Sequence, residues 1–480
     1  MTTSNENSPL VSKDDGSHTQ ERHPPPLIPM GLGPETNHDD DMSAPEPTHR
    51  RTTTATTVEI FGCAVNDIVV FFVLPAMFYF AVVVRVAAYV IDVAWDGGTI
   101  PTGPYRLVEA HVGGDFFSHY DFYDGPDSVG SAGHNSYVPR SRAEELGIAG
   151  VVVDNGGDDG EEEFAYMSSA ATHSGPRDSI RLEGRTRFDR GLFVLDVRHM
   201  PDGCGVWPAF WLTDEARWPM NGEVDVLEGV NGQTTAKTAL HTSNQCDMYA
   251  HVAPYAKTGH WEMITGIPDH FTGDPDYQTV KGADNCWTMA PHQWENEGCT
   301  VVHERNDTIG APVNANGGGL YVLEWDPVGR YHEGLKGGYI KSWVFSPSIP
   351  QNLRDALDTA GMEDSSKRVA PDPLSWGLPY AYFAIGETTG CSADHFKHMR
   401  IVFDLAFCGT VSGNRFTREC PALAKTFNVT NEHGDNDPVS TCNAYIESNP
   451  KALEQAYWKI KGVYVYEREL EHQRNKFGQG

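Results

Sequence analysis

The chain has 480 residues with 36 Lys and Arg against 66 Asp and Glu, a formal net charge of −30. An acidic balance of that size repels phosphate, which excludes a basic nucleic-acid binder and disfavours an anionic membrane surface as partner. Hydrophobic residues at 39 % and aromatics at 11 % supply a core, while 48 Gly and 31 Pro imply many turns and disfavour long helical bundles.

Residues 1–67 hold 4 basic and 11 acidic side chains, a net of 4 − 11 = −7. Runs such as Pro24-Pro25-Pro26, Asp39-Asp40-Asp41 and Thr52-Thr53-Thr54 cannot build a core, so an unstructured solvated tail is expected. Ile68 to Val84 then gives 17 residues without a charge, and across Arg85 the apolar run reaches Ile91, 24 residues in all. A helix needs ~20 residues to cross a bilayer, so residues 68–91 are read as a single membrane-spanning signal anchor, with Arg85 snorkelling to the interface. The polar leader excludes a cleavable signal peptide starting at residue 1, although translation from Met77 would open on a signal-like start.

Orientation follows from the cysteines more than from the nearly balanced flanking arginines. Cys204, Cys246, Cys286, Cys299, Cys391, Cys408, Cys420 and Cys442 follow the span, against Cys63 alone before it. An even set suits up to four disulfides in an oxidising compartment, with the pairing open. The sequons Asn306-Asp307-Thr308 and Asn428-Val429-Thr430 fit the same lumenal or extracellular face.

Residues 105–477 read as one all-β sandwich with long loops. Strand-like runs recur at Gly191–His199, Gly222–Glu228, Lys237–His241, Gly319–Asp326, Tyr339–Phe345, Tyr380–Ile385, Met399–Leu405 and Trp458–Tyr466, separated by Gly, Pro, Asn and Asp clusters. Near the end a helix is expected over Pro450–Tyr457, capped by Asn449. The acidic insert Asp154–Glu163 reads as a solvated loop.

The chemistry concentrates in Glu223-Val224-Asp225-Val226-Leu227-Glu228. Alternation puts Glu223 and Asp225 on one face, and strict period two would turn Glu228 away. A one-residue β-bulge between Asp225 and Glu228 returns it to the acidic face. Three like charges on one face of a short strand are costly, which argues for catalysis over a solvated surface. Two carboxylates so placed suit the ~5–5.5 Å spacing of a retaining glycosidase. Asp225 would share a proton with Glu223 and help hold Glu228 protonated. Calcium binding is the competing reading, but the spacing lacks an EF-hand loop.

The stretch from Gly203-Cys204-Gly205-Val206-Trp207-Pro208-Ala209-Phe210-Trp211 to Trp218-Pro219-Met220-Asn221-Gly222-Glu223 and on to Asn231-Gly232 strongly resembles glycoside hydrolase family 16, in particular its laminarinase-type endo-1,3(4)-β-glucanases. The likeness continues through Leu240-His241-Thr242-Ser243, Glu324-Trp325, Phe403-Asp404, Cys408-Gly409 and Tyr457-Trp458, covering about three quarters of the chain. The resemblance implies a concanavalin A-like β-jelly-roll with an open cleft. Glu223 would be the nucleophile, Glu228 the general acid then base, and Asp225 the electrostatic partner of Glu223. It implies no cofactor and no metal, and a β-glucan as the partner of a monomeric catalytic domain.

Sugar rings present apolar C–H faces that stack on indoles. Trp207 and Trp218 are expected to line the cleft, with Trp211 balanced between cleft and core. His241 resembles the family's cleft histidine; Trp325, Trp376 and Asn231 are weaker candidates. The expected activity is endo-acting retaining hydrolysis of 1,3- or mixed 1,3/1,4-β-glucan. The alternatives are a membrane-anchored cell-wall transglycosylase and a non-catalytic β-glucan binder, the latter disfavoured because such relatives lack the carboxylates present here.

Overall fold

Alternating β-branched and aromatic residues between turn signals build two antiparallel sheets in this computed structural model. It describes residues 101–470 apart from 128–130, 156–160, 171–174, 250, 269–274, 329–336 and 387, and, separately, residues 59–60 and 63–64. In chain order the strands of the two sheets are β1 (Pro101–Val112), β2 (Tyr120–Phe122), β3 (Ala149–Asn155), β4 (Glu161–Met167), β5 (Arg181–Gly184), β6 (Gly191–His199), β7 (Val206–Thr213) and β8 (Glu223–Glu228). They continue as β9 (Lys237–His241), β10 (His260–Trp261), β11 (Cys299–Val302), β12 (Gly319–Asp326), β13 (Gly338–Phe345), β14 (Ala381–Ile385), β15 (Arg400–Phe407) and β16 (Trp458–Leu470).

The first sheet runs β10-β11-β9-β8-β7-β15-β5-β2. The second runs β14-β13-β12-β6-β16-β4-β3, with β1 also paired to β16. Their facing side chains make one core: Phe210, Leu212, Val224, Leu227 and Phe403 from the first sheet meet Phe193, Leu195, Tyr321, Leu323 and Trp458 from the second. The second sheet is buried on its other face too, where Leu192, Val194, Leu320 and Val322 pack with Leu353 of helix α1 (Gln351–Asp358). That double burial explains why β12 has eight consecutive buried residues rather than an alternation.

A small helical layer, α2 (Asn414–Glu419), α3 (Pro421–Thr426) and α4 (Pro438–Ser448), follows β15. Phe416, Tyr445 and Ile446 seal it onto Val206, Leu405 and Phe407, and disulfides Cys204–Cys420 and Cys408–Cys442 tie it down. Cys246–Cys391 and Cys286–Cys299 brace the long loop between β9 and β11, so the eight cysteines form four pairs.

Several expectations need correction. Pro450–Leu453 is one 3-10 turn rather than a helix to Tyr457; the helix is the preceding α4, whose N-terminus is capped by the Asp437 carboxylate accepting from the Ser440 N–H at 3.0 Å. Asn449 donates back to the Tyr445 carbonyl instead of capping the turn after it. The insert Asp154–Glu163 is not all loop, because both its arms belong to the β3–β4 hairpin. Three of its acids have partners: Asp154 with Lys459, Glu162 with Lys461 at 2.8 Å, and Glu163 with the Gly114 N–H at 2.9 Å.

Two segments bear on the N-terminal half. Glu59–Ile60 pairs antiparallel with Cys63–Ala64, inside the segment expected to be unstructured. Among the described residues no helix is long and apolar enough to cross a membrane. The expected span, residues 68–91, lies outside them, as do the rest of the tail and residues 471–477.

Candidate active site

Strand β8 carries the three acids, and its ladder with β7 shows how they share a face. Phe210 pairs with Leu227 and Trp211 with Asp225, so Val226 is an extra residue on β8. Val224, Val226 and Leu227 all enter the core. Glu228, opposite Ala209, therefore returns to the side of Asp225 and Glu223. A regular strand would have sent Leu227 outward and Glu228 inward.

Each carboxylate has its own partner. The Trp218 indole Nε1 donates to Glu223 Oε2 at 2.6 Å, and the Trp207 indole Nε1 donates to Glu228 Oε1 at 2.7 Å. His241 Nε2 lies 3.1 Å from Asp225 Oδ2, placed there by the register of β9, which sets His241 opposite Glu223. Trp218 is 41 % exposed and offers its ring to solvent, whereas Trp207 is 8 % exposed and mainly holds Glu228. Gly298 keeps the histidine in place: at φ +65°, an added Cβ would sit 2.4 Å from the Leu240 carbonyl oxygen and 2.9 Å from the His241 ring. His241 Nδ1 is buried with no hydrogen-bond partner among the described residues.

Electrostatics follow from crowding in a desolvated strip. Burial, then the neighbouring Asp225, pushes Glu223 up to about 8, against the opposing effects of His241 and the Trp218 hydrogen bond. Asp225 too is held well above its ordinary range, by burial first and then by Glu228 and Asp404, against the opposing hydrogen bond with Glu223. The pair titrates as a unit. A proton residing on Asp225 leaves Glu223 as an anion accepting from both Asp225 and Trp218. Glu223, Asp225 and His241 each place a ligand atom within 4.8 Å of the others, and the shared proton is what holds them so close.

Asp404 on β15 escaped the sequence reading as a functional residue. Ala209 lies opposite both Glu228 and Asp404, one on either side of β7, so the two carboxylates project from the same face with only a small side chain between them. Asp404 Oδ2 accepts from the Trp211 indole at 2.9 Å. Burial, offset by Arg181 and reinforced by Asp127 and Glu228, raises it to about 7. Its signal in the sequence was the F-D step in a hydrophobic strand, which has no meaning until the strand order is known.

The other candidates separate. Trp211, balanced between cleft and core, is on the acid face, with the Arg181 guanidinium 5.1 Å from its ring. Trp325 is 1 % exposed in the core between the sheets, and Trp376 packs edge-on against Trp343 on the far side of the second sheet. Neither reaches the acids. Asn231 is a turn residue at φ +56°, accepting from the Gly205 N–H and donating to Glu419. Glu324 is buried on the outer face of the second sheet, accepting from Tyr105, Tyr339 and Arg468.

A two-sheet antiparallel sandwich with E-x-D-x-x-E on a bulged strand defines the class of β-sandwich glycoside hydrolases. Residues 120–466 match the profile of the XgeA-like catalytic domain of glycoside hydrolase family 16. The chain belongs to glycoside hydrolase family 16. It is 32 % identical over 369 residues to a Schizosaccharomyces pombe protein named a probable glycosidase, covering 76 % of this chain and 69 % of that protein. It is 31 % identical over 372 residues to endo-1,3(4)-β-glucanase xgeA of Emericella nidulans, covering 76 % of this chain but 47 % of that protein. Among solved structures, an elongating family 16 β-1,3-glucosyltransferase matches at 25 % identity with TM-score 0.56, covering 76 % of this chain and all of that one. Laminarinase 16A of Phanerochaete chrysosporium, with β-glucans in donor and acceptor sites, matches at 28 % with TM-score 0.54, covering 76 % of this chain and 99 % of that one.

Proposed function

We propose that this chain is an endo-acting, retaining β-glucan hydrolase that cleaves 1,3- or mixed 1,3/1,4-linked chains by double displacement. The observation that carries the reading is the bulge at Val226, which sets three carboxylates on one face, each with a different polar partner. Glu223, ionised while Asp225 holds the shared proton, attacks the anomeric carbon. Glu228 protonates the glycosidic oxygen as the bond breaks, giving a glycosyl ester on Glu223. Glu228 then takes a proton from water, which attacks the same carbon and restores the β configuration. Trp218 offers a stacking surface for a glucosyl ring, while Trp207 and His241 position Glu228 and Asp225.

The substrate is neutral, so the −23 left outside the tail serves solubility rather than partner selection. We place the domain, as a monomer, on the lumenal or extracellular side of a membrane, anchored through residues 68–91. Four disulfides and the exposed sequon residues Asn306 and Asn428 support that side. Transglycosylation, with a sugar hydroxyl replacing water, is the second reading, favoured by the likeness to an elongating glucosyltransferase.

The test is product analysis on laminarin, lichenan and a β-1,6-glucan with an added oligosaccharide acceptor. NMR of the first products should show β anomers, and elongated products would shift the reading to transfer. Normal laminarin cleavage by Glu223→Gln, or α anomers, would overturn the mechanism.

A further inference from the structure

A second polar cluster sits at the start of the domain, where β1 turns towards β2. Glu109 and His111, two residues apart, project from one face of β1. The 3-10 turn Gly113–His119 folds back and lays the His119 ring on that of His111, with centroids 3.9 Å apart. Glu109 Oε2 is 2.8 Å from His111 Nε2, and Asp115 Oδ2 is 3.4 Å from His119 Nε2. Glu109, His111 and His119 each contribute a ligand atom within 4.8 Å of the other two.

The surrounding contacts are those of a supported metal site. His111 is 2 % exposed, and its Nδ1 lies 2.8 Å from the hydroxyl of buried Tyr120. The Thr186 hydroxyl donates to the far oxygen of Glu109 at 2.6 Å. Outer hydrogen bonds of this kind fix the tautomer and orientation of metal-binding imidazoles and carboxylates. His119 Nε2, by contrast, is a buried nitrogen with no hydrogen bond among the described residues.

We propose that Glu109, His111 and His119, with Asp115 as fourth donor, bind a divalent transition-metal ion of the Zn²⁺ class. Two imidazole nitrogens and two carboxylate oxygens suit that class, whereas Ca²⁺ and Mg²⁺ take predominantly oxygen sets with higher coordination numbers. His111 offers Nε2 to the ion and keeps its proton on Nδ1, donating to Tyr120. The His119 side chain, 26 % exposed, swings out of the stack so that its nitrogen lone pair meets the ion in the ring plane. The ion would then clip β1, which among the described residues pairs only with β16, to the turn next in the chain. The site lies apart from the acid face and does not rest on the glucanase reading.

The test is ZnCl2 and CoCl2 titration of the EDTA-stripped full-length chain, read by calorimetry, thermal unfolding and Co²⁺ visible absorption. One equivalent should bind, with a rise of a few °C in Tm at saturation and d–d bands of a nitrogen–oxygen site. His119→Gln, at a partly exposed position, should abolish uptake while leaving the metal-free Tm within about 2 °C; His111→Gln should abolish it too. His241→Gln should retain it, which separates this site from Glu223 and Asp225. No uptake, unchanged uptake in His119→Gln, or loss in His241→Gln would overturn the proposal.

Discussion

Asp404→Asn should make the protein more stable and the enzyme worse, and the gain should depend on pH in a defined way. Asp404 is 9 % exposed and is raised from an ordinary 3.8 to about 7 by burial. Below pH ~4 it is neutral in both folded and unfolded chains, so the substitution changes little. Between about 4 and 7 the unfolded chain releases its proton while the folded protein holds it, and the native state loses stability as pH rises. Above about 7 the penalty is constant. A difference of about 3 at ~1.36 kcal/mol per pH unit sets a ceiling of roughly 4 kcal/mol. Arg181 keeps its ion pair with Glu183 at 3.1 Å but loses the attraction of Asp404 in the variant, so about half of that is expected. The amide oxygen can still accept from Trp211. Thermal unfolding at fixed scan rate from pH 4 to 8.5 should show a Tm gain absent at pH 4 and growing to several °C at pH 8. In parallel, kcat/KM should fall above about pH 7, where Asp404 carries a charge on the other side of Ala209 from Glu228. A gain independent of pH, or none, would refute the burial argument.

Asp225→Asn removes the acid that shares a proton with Glu223, so kcat should drop and the two-step titration of the pair should vanish from the pH profile of kcat/KM; an unchanged profile would count against the coupling. Gly298→Ala forces a Cβ against the Leu240 carbonyl and the His241 ring, and should cut kcat by about 10-fold or more with the far-ultraviolet spectrum unchanged. Replacing Cys408 and Cys442 by Ala opens a link spanning 34 residues and should cost about 3–4 kcal/mol in urea unfolding, with near-ultraviolet loss centred on the helical layer.

The sequence alone determined the strands, because their patterning is local. β6, β9 and β12 begin and end where strand-forming apolar runs and turn residues put them. It also determined the three acids and the need for a bulge, since period-two geometry leaves Glu228 on the wrong face without one. Local signals failed where partners are distant. Pro450–Leu453 has helix-forming neighbours but only one turn, because Trp458 must enter β16 beside β6 and β4. The acids of Asp154–Glu163 read as loop, since lysines on β16, far along the chain, decide their pairing. Trp207, Trp211, Trp218, Trp325 and Trp376 are alike as letters; only the sheets decide which indole meets a carboxylate and which fills the core. Asp404 is the clearest case: its place opposite Glu228 arises because β15 and β8 both pair with β7, and Ala209 between them is small. Composition and spacing specify a face of acids; strand order and burial decide how much each proton is worth there.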